Sequence, residues 1–360
     1  MPTFFQPTYR QARQQFLRAA AEQPLNTWQT ARIHPLKGCE DEELALDALW
    51  LGPRDAEHLL VVQSATHGVE GFAGSAVQAA LLNQKVSLPN DTALLLLHAM
   101  NPWGFSFQRR VDEQGIDLNR NFVDFTRLPE NPGYAELASA LIPASWSPKA
   151  LEVADQQLEA YRQQYGETAY EVAVSGGQYT HPEGLFYGGQ APSWSRLQLQ
   201  ALAEELELEQ RKAVAILDVH TGLGDYAVGE VICDHPPGSQ GVRWARRWYG
   251  EAVTEPLLGT SSSVPKQGLI DFFWHELLPE RCSFVTLEFG TGSTPQLFHV
   301  LRGDHWLAQQ PLSSVDSVQS LAIQQALLEH FCPAASDWRK AVIAQGLQRI
   351  DQALKGLAEW

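Results

Sequence analysis

The sequence contains few cysteines, and their arrangement suggests neither a cross-link nor a metal site. No Cys-x-x-Cys pair occurs, and the four cysteines lie far apart at Cys39, Cys233, Cys282 and Cys332. A disulfide framework or a thiolate zinc site needs cysteines at characteristic close spacings, so neither is expected. We expect buried or partly buried free thiols.

Positive charge is also scarce. Lys and Arg number 26 against 42 Asp and Glu, which gives a formal net charge of −16. Binding to nucleic acid or to an anionic membrane relies on an excess of basic residues, so we expect neither partner. No apolar run approaches the roughly 18 residues of a membrane span, and no basic segment followed by an apolar one opens the chain. A cytoplasmic protein is therefore expected, while the oligomeric state stays open.

The hydrophobic pattern predicts alternating strands and helices. Strand-like runs cover residues 44–52, 58–66, 92–100, 213–220 and 282–290, and helical stretches cover 8–24, 71–84, 150–165, 195–210 and 313–358. Strand, helix and strand in succession begin a parallel α/β layer. No repeat, linker or composition break marks a boundary, so we predict one domain over residues 1–360. Loop-like insertions are expected near 125–195, and a helical C-terminal segment over 313–358.

One pair of residues has a spacing that suits a metal ion. His67 and Glu70 form the only His-x-x-Glu or His-x-x-Asp pair among the eleven histidines. An imidazole and a carboxylate placed this way in a turn can converge on one Zn²⁺, with a third ligand and an open fourth position. The spacing alone does not exclude an exposed or helix-capping pair.

Two polar residues close the later apolar runs. His220 ends the run 213–220, and Glu288 stands near the end of 282–290. Strand ends at the rim of a parallel sheet are where ligands bind in α/β folds, so His220 is the candidate third ligand. A carboxylate at Glu288 could take a proton from water activated by the metal. Each residue alone could be an ordinary strand-end residue, but the set predicts metal-assisted hydrolysis.

The run NPWGFSFQRRVDEQGIDLNRNF, residues 101–122, concentrates positive charge in an acidic protein. Arg109, Arg110 and Arg120 lie within twelve residues, with Asn119 beside the last. Guanidinium groups suit the bidentate capture of a carboxylate and the stabilisation of an oxyanion. Ion pairs with the acidic residues between them are the alternative. Strand alternation would separate Arg120 from Asp117 and Asn119, so we expect a bent loop here.

Together these segments resemble the zinc carboxypeptidase family, metallopeptidases that trim C-terminal residues, and its relatives that deacylate N-acyl amino acids. Over about residues 45–295 the order matches: His-x-x-Glu, an Asn-Pro-x-Gly turn, Arg, Asp-x-Asn-Arg-Asn, a distant His and a late strand-end Glu. THGVEGFAGSAVQ, DLNRNF and HPEGLFYGG are similar to a bacterial branch described as a domain of unknown function. The resemblance implies an α/β fold with a central twisted, mixed, largely parallel sheet flanked by helices.

The resemblance also implies roles for the metal-site positions. His67, Glu70 and His220 would bind one zinc ion. Glu288 would be the general base that activates water and later passes the proton to the leaving amine. Asp117 would orient His67 through its other ring nitrogen.

The substrate-binding positions are implied in the same way. Asn119 and Arg120 would hold the terminal carboxylate of the substrate, and an upstream arginine would polarise the scissile carbonyl. Arg109 and Arg110 are both candidates for that arginine. Arg110 is favoured because the related deacylases place theirs just before an aromatic or aliphatic residue, as Val111 stands here.

The sequence departs from the peptidase pattern at one position. The peptidases have a mobile tyrosine seven residues before an Ile-Asp pair, and aligning that pair with Ile270 and Asp271 places Ser263 there. Tyr187, which lies in an insertion, could substitute for the tyrosine. Ile270 would correspond to the position that sets side-chain specificity and hints at an apolar pocket.

We therefore expect a zinc-dependent hydrolase that cleaves an amide bond in a small substrate with a free carboxylate. A metallocarboxypeptidase acting on small peptides is the first choice, and a deacylase of N-acyl amino acids, of the desuccinylase or aspartoacylase type, is the alternative. A non-catalytic module that binds carboxylates is a further alternative. A serine hydrolase is disfavoured because the chain has no Gly-x-Ser-x-Gly elbow.

Overall fold

An eight-stranded sheet runs through the protein, whose computed structural model describes residues 4–23, 27–84, 86–311 and 315–360. The strands are β1 (Trp28–Lys37), β2 (Glu43–Leu51), β3 (His58–Ser64), β4 (Thr92–His98), β5 (Ala213–Thr221), β6 (Gly229–Ile232), β7 (Val253–Thr254) and β8 (Cys282–Phe289). Their order across the sheet is β1-β2-β4-β3-β5-β8-β6-β7.

The centre of the sheet is parallel and its margins are mixed. Strands β4, β3, β5 and β8 run parallel to one another. β2 is antiparallel to both β4 and β1, β6 is antiparallel to β8, and β7 is parallel to β6. The continuous apolar runs form the central strands because both faces of a parallel sheet are covered. The predicted mixed, largely parallel sheet is confirmed.

Helices cover the sheet on both faces. They are α1 (Tyr9–Ala21), α2 (Gly71–Asn83), α3 (Pro102–Ser106), α4 (Pro132–Leu141), α5 (Pro148–Tyr165), α6 (Glu167–Ser175), α7 (Trp194–Glu205), α8 (Gln240–Tyr249), α9 (Asp271–Leu277), α10 (Thr294–Ala308), α11 (Ser317–Phe331) and α12 (Ser336–Leu357). Helices α1, α2, α8 and α12 share a core with one face, and α7 and α9 share a core with the other. Helices α4, α5, α6, α10 and α11 form a separate cluster.

Some elements differ from the sequence-based prediction. The insertion near 125–195 contains α5, which matches the predicted helical stretch 150–165, and also α4 and α6, where loops were predicted. The C-terminal stretch 313–358 consists of two helices rather than one, because Pro333 lies between α11 and α12 and lacks the N–H that a helix interior needs. Residues 24, 313 and 314, at the ends of predicted helices, lie outside the described residues. None of the described helices is long and apolar enough to cross a membrane.

Local packing brings the His67 turn against the 101–110 segment. Asn101 caps α3 by accepting a hydrogen bond from the Gly104 amide at 2.8 Å, with Pro102 at the first helical position. A Cβ at Gly68 would lie 2.0 Å from the Gly104 carbonyl carbon, so only glycine permits this approach. The Gly68 amide then donates to the Arg110 carbonyl at 3.1 Å. The turn is thereby held at the carboxyl end of β3, beside those of β5 and β8.

Candidate active site

Three buried side chains from two strand ends converge at the carboxyl edge of the sheet. Nδ1 of His67 lies 2.9 Å from one Glu70 oxygen, and Nδ1 of His220 lies 3.1 Å from the other. The two Nδ1 atoms are 3.1 Å apart. His67 follows β3, Glu70 ends a 3₁₀ turn over Gly68–Glu70, and His220 lies near the end of β5. The structure thus brings the three predicted ligands together.

The outer nitrogens of both imidazoles face carboxylates. Nε2 of His67 lies 3.0 Å from Asp117, and Nε2 of His220 lies 2.7 Å from Asp218. Asp218 is fixed in turn by the Thr66 hydroxyl, which donates at 2.9 Å. A carboxylate accepts hydrogen bonds, so these contacts favour the proton on Nε2 and leave the Nδ1 lone pairs facing inward.

These inward-facing atoms fit a zinc ion. Bonds of about 2.0–2.1 Å in a tetrahedron separate neighbouring ligand atoms by roughly 3.3 Å, only slightly more than the observed distances. The electrostatics also favour a cation. Burial opposes ionisation of Glu70, but His67 and His220 outweigh it and hold its pKa well below the usual value. For His220, burial is outweighed by Asp218 and Glu70, and its pKa is raised well above the usual value.

Arg110 joins the two carboxylates around His67. It donates from Nη1 to Glu70 at 2.7 Å and from Nε to Asp117 at 3.1 Å. Its Nη2 also lies 2.8 Å from Nε2 of His67, where the arginine can only donate and Asp117 can only accept. Asp117 favours the His67 tautomer with the proton on Nε2, whereas Arg110 favours the tautomer with the proton on Nδ1. A cation at Nδ1 would place the proton on Nε2. Arg110 lines the cavity, as a carbonyl-polarising residue must.

Glu288 faces the same cavity from the neighbouring strand. It is the register partner of His220 across β5 and β8, and it is 7% exposed. Its Oε1 accepts the Leu223 amide at 3.0 Å, so Oε2 remains available to a reactant. Burial first, and then the charge of Glu70, raise the pKa of Glu288 to about 7. A carboxyl group with this pKa can accept and release a proton near neutral pH.

The segment DLNRNF forms a 3₁₀ turn over Leu118–Arg120 rather than a strand, as the alternation argument predicts. This turn lets Asn119 and Arg120 line one cavity. The Ile270 amide donates to Asn119 Oδ1 at 2.8 Å, which leaves the side-chain NH₂ as a donor. Arg120 donates Nε and Nη2 to the Ser175 carbonyl and Nη1 to the Asn119 carbonyl. Two of its five N–H groups have no acceptor among the described residues.

Three predicted residues are not brought to this cavity. Arg109 instead pairs with Asp304, at 3.0 Å between Nη2 and Oδ2. Ile270 is 1% exposed and belongs to the hydrophobic core beneath the sheet. Tyr187 is buried, and its backbone carbonyl accepts the Asp117 amide. Of the two candidate arginines, only Arg110 therefore reaches the cavity.

The sequence profile of the family described as "Protein of unknown function (DUF2817)" matches residues 5–345. The chain belongs to this family. The predicted branch of unknown function is thus confirmed. A search of curated proteins found no match.

Several solved structures are similar to this chain at low sequence identity. Bovine thrombin-activatable fibrinolysis inhibitor in complex with tick carboxypeptidase inhibitor is 12% identical over 95% of this chain and 99% of that chain, with a TM-score of 0.46. Succinylglutamate desuccinylase from Chromobacterium violaceum is 15% identical over 92% and 75%, with a TM-score of 0.37. An aspartoacylase family protein from Mesorhizobium loti is 13% identical over 78% and 66%, with a TM-score of 0.37. These likenesses concern the fold alone.

Sequence reasoning missed several residues of the site in this member of the family. Asp218 could have been found, because Asp-x-His on a strand places both side chains on one face. Phe186 gave no signal, yet its ring lies 5.4 Å from the Arg110 guanidinium carbon and 5.3 Å from that of Arg120. It lies close to both cations and lines the cavity. Three charged residues further along the cavity were also missed: Asp234, Lys266 and Asp271.

Proposed function

We propose that this protein is a zinc-dependent hydrolase that cleaves an amide bond in a small substrate with a free carboxylate, with a carboxypeptidase as the first choice. One observation carries the proposal. Two histidine Nδ1 atoms and a carboxylate face one another at 2.9–3.1 Å, beside the half-satisfied carboxyl group of Glu288. His67, Glu70 and His220 would hold one zinc ion, which would lower the pKa of water and polarise a carbonyl group.

The residues of the chain supply the remaining steps. Glu288 accepts a proton from the attacking water through Oε2 and delivers it to the amine as the carbon–nitrogen bond breaks. Arg110 donates hydrogen bonds to the carbonyl oxygen as negative charge develops there. The Asn119 NH₂ and the two remaining Arg120 N–H groups hold the substrate carboxylate. This positioning would place the adjacent amide bond next to Glu288.

The N-acyl amino acid deacylase is a second candidate because of the residues that line the cavity. Among the described residues, no tyrosine lines it, and Ser263 does. The mobile tyrosine of the peptidases therefore has no counterpart among the described residues that line the cavity. An acyl amino acid presents the same amide and carboxylate to Arg110, Asn119 and Arg120, so the two candidates share one chemistry. We refer to His67, Glu70 and His220 as the ligand cluster. A purely binding module would have no use for Glu288 beside it.

A substrate screen tests the proposal. Zinc-loaded protein is offered dipeptides with a free C-terminus, the same dipeptides with an amidated C-terminus, and N-acyl amino acids. We expect turnover only where a free carboxylate is present, and none after chelation of the metal or in Glu288→Gln. The proposal is overturned if zinc-loaded protein turns over none of these substrates, or if amidated dipeptides react as fast as free ones.

A further inference from the structure

The cavity continues beyond the ligand cluster along one face of β8. Glu288, Thr286 and Phe284 alternate along the strand, so their side chains point to the same side, and all three line the cavity. At about 3.3 Å per residue, the floor extends roughly 13 Å from Glu288 to Phe284. A substrate anchored at Glu288 therefore has a channel in which a long side chain can lie.

Two carboxylates lie at the far end of this channel. Ile232 of β6 is the register partner of Thr286, so Asp234, two residues further on, lies toward Phe284. Asp271 begins α9, and both acids line the cavity. Asp234 is partly exposed, and Asp271 is 1% exposed. We refer to Asp234 and Asp271 as the acidic end.

The charges of the acidic end are only partly compensated within the described part of the chain. Neither oxygen of Asp271 has a hydrogen-bond partner there. Burial raises the pKa of Asp234, although the nearby charges of Lys266 and Arg120 oppose this shift. The nearest candidate, Nε2 of His275, lies 3.8 Å from Asp271. Lys266 also lines the cavity, but its ammonium donates to Ser263 Oγ and to the Val264 carbonyl instead. Ionisation of a buried carboxyl group without hydrogen-bond donors costs free energy, and a bound cation would offset that cost.

We propose that the acidic end receives the ammonium or guanidinium group of a substrate whose leaving residue has a long basic side chain. The inference rests on the proposed function and names the substrate class of the same site. Ile232, Leu269 and Phe284 provide apolar walls for the methylene groups. An extended lysine side chain places its nitrogen roughly 9 Å from the scissile carbon, given bonds of about 1.5 Å. The attacking water adds about 3 Å, which agrees with the length of the channel.

Pairs of substrates with side chains of similar shape but different charge test whether the acidic end recognises the charge. Lysine is compared with norleucine, and arginine with citrulline, each as the C-terminal residue of a dipeptide and as an N-acetyl amino acid. A glutamate substrate is included to detect recognition by Lys266. We expect wild-type kcat/KM to favour lysine over norleucine by about 10- to 100-fold, the value of a hydrogen bond between charged groups. Asp234→Asn should lower kcat/KM for lysine substrates to the value for norleucine substrates.

The control is Asp225→Asn, the same chemical change at an exposed acid that does not line the cavity. It should keep the lysine preference. Calorimetry with free lysine and free norleucine measures binding without turnover. Lysine should bind to wild type more tightly than norleucine does, and the two should bind to Asp234→Asn equally. The inference would be overturned if wild type used and bound lysine and norleucine equally, or if it preferred glutamate. Turnover of neutral substrates would still support the proposed function in that case. Absence of all turnover would overturn the proposed function, and calorimetry would still decide the role of the acidic end.

Discussion

Buried ionisable groups at the two ends of the cavity differ in their hydrogen-bond partners. At the ligand cluster, each imidazole has a carboxylate behind it, and Glu70 accepts from Arg110 and from the Thr221 amide. At the acidic end, Asp271 has no hydrogen-bond partner among the described residues. In the ligand cluster, the protein itself supplies hydrogen-bond partners to the two imidazoles and to Glu70. A cation would bind between the three ligand atoms. At the acidic end, the described residues supply no hydrogen-bond donor to Asp271.

This difference suggests that the residues around the ligand cluster fix the geometry of the site, whereas those of the acidic end bind part of the substrate. Buried polar networks rigidify a site when each member is satisfied, and removal of one partner leaves another uncompensated. An unsatisfied buried group needs an explanation of another kind, such as a role in binding. Substitutions at the two ends should therefore have effects of opposite sign on stability.

The largest effect is expected for Glu288→Gln, which keeps the shape of the side chain but cannot accept the proton from water. We expect kcat to fall by about 10³-fold while zinc content stays the same. Steady-state kinetics and metal analysis of the same preparation check both parts, with Asp225→Asn as the matched control. Near-normal turnover by Glu288→Gln would contradict its role as general base.

Asp117→Asn should cause the largest loss of stability. Asp117 accepts hydrogen bonds from Arg110 Nε and from the Asn119 amide, and it faces His67 Nε2. Substitution leaves the buried Arg110 charge without one of its two carboxylates, which costs about 3 kcal/mol. Urea unfolding of the metal-free protein measures the change. A free energy of unfolding equal to that of wild type would show that this network does not stabilise the fold.

Asp218→Asn tests how the second histidine is held. The carboxylate of Asp218 keeps the proton on His220 Nε2, and the amide would weaken that preference. Loss of such a partner lowers metal affinity by about 10- to 100-fold. Competition with a chelator of known affinity reports the change, and Asp225→Asn should leave the affinity for zinc unchanged. Unaltered affinity in Asp218→Asn would remove this aspartate from the site.

Asp271→Asn should have the smallest effect and the opposite sign. Burial, and then the charge of Asp234, raise the pKa of Asp271 well above its usual value. Its proton therefore stabilises the folded state fully below the unfolded value of about 3.9, and this contribution is lost as pH rises through the folded value. We expect the variant to gain stability relative to wild type as the pH rises from 5 to 8. Urea unfolding at both pH values checks this, and destabilisation at pH 8 would mean that the charge of Asp271 is satisfied.

The ligand cluster was accessible from the sequence, and the acidic end was not. Strand-end positions and a unique His-x-x-Glu spacing located His67, Glu70 and His220, because the carboxyl ends of parallel strands meet at one edge. The position of Asp234 depends on the antiparallel register of β6 on β8, which no local pattern reveals. The start of α9 sends Ile270 into the core and Asp271 toward the cavity. That choice depends on tertiary packing.

The metal content of the purified protein tests the central claim most directly. Wild type and His220→Ala are loaded with zinc, desalted and analysed by inductively coupled plasma mass spectrometry, with circular dichroism to show that both are folded. The account predicts one zinc ion per chain in wild type and almost none in His220→Ala. A folded wild-type protein that retains no zinc after loading would contradict it.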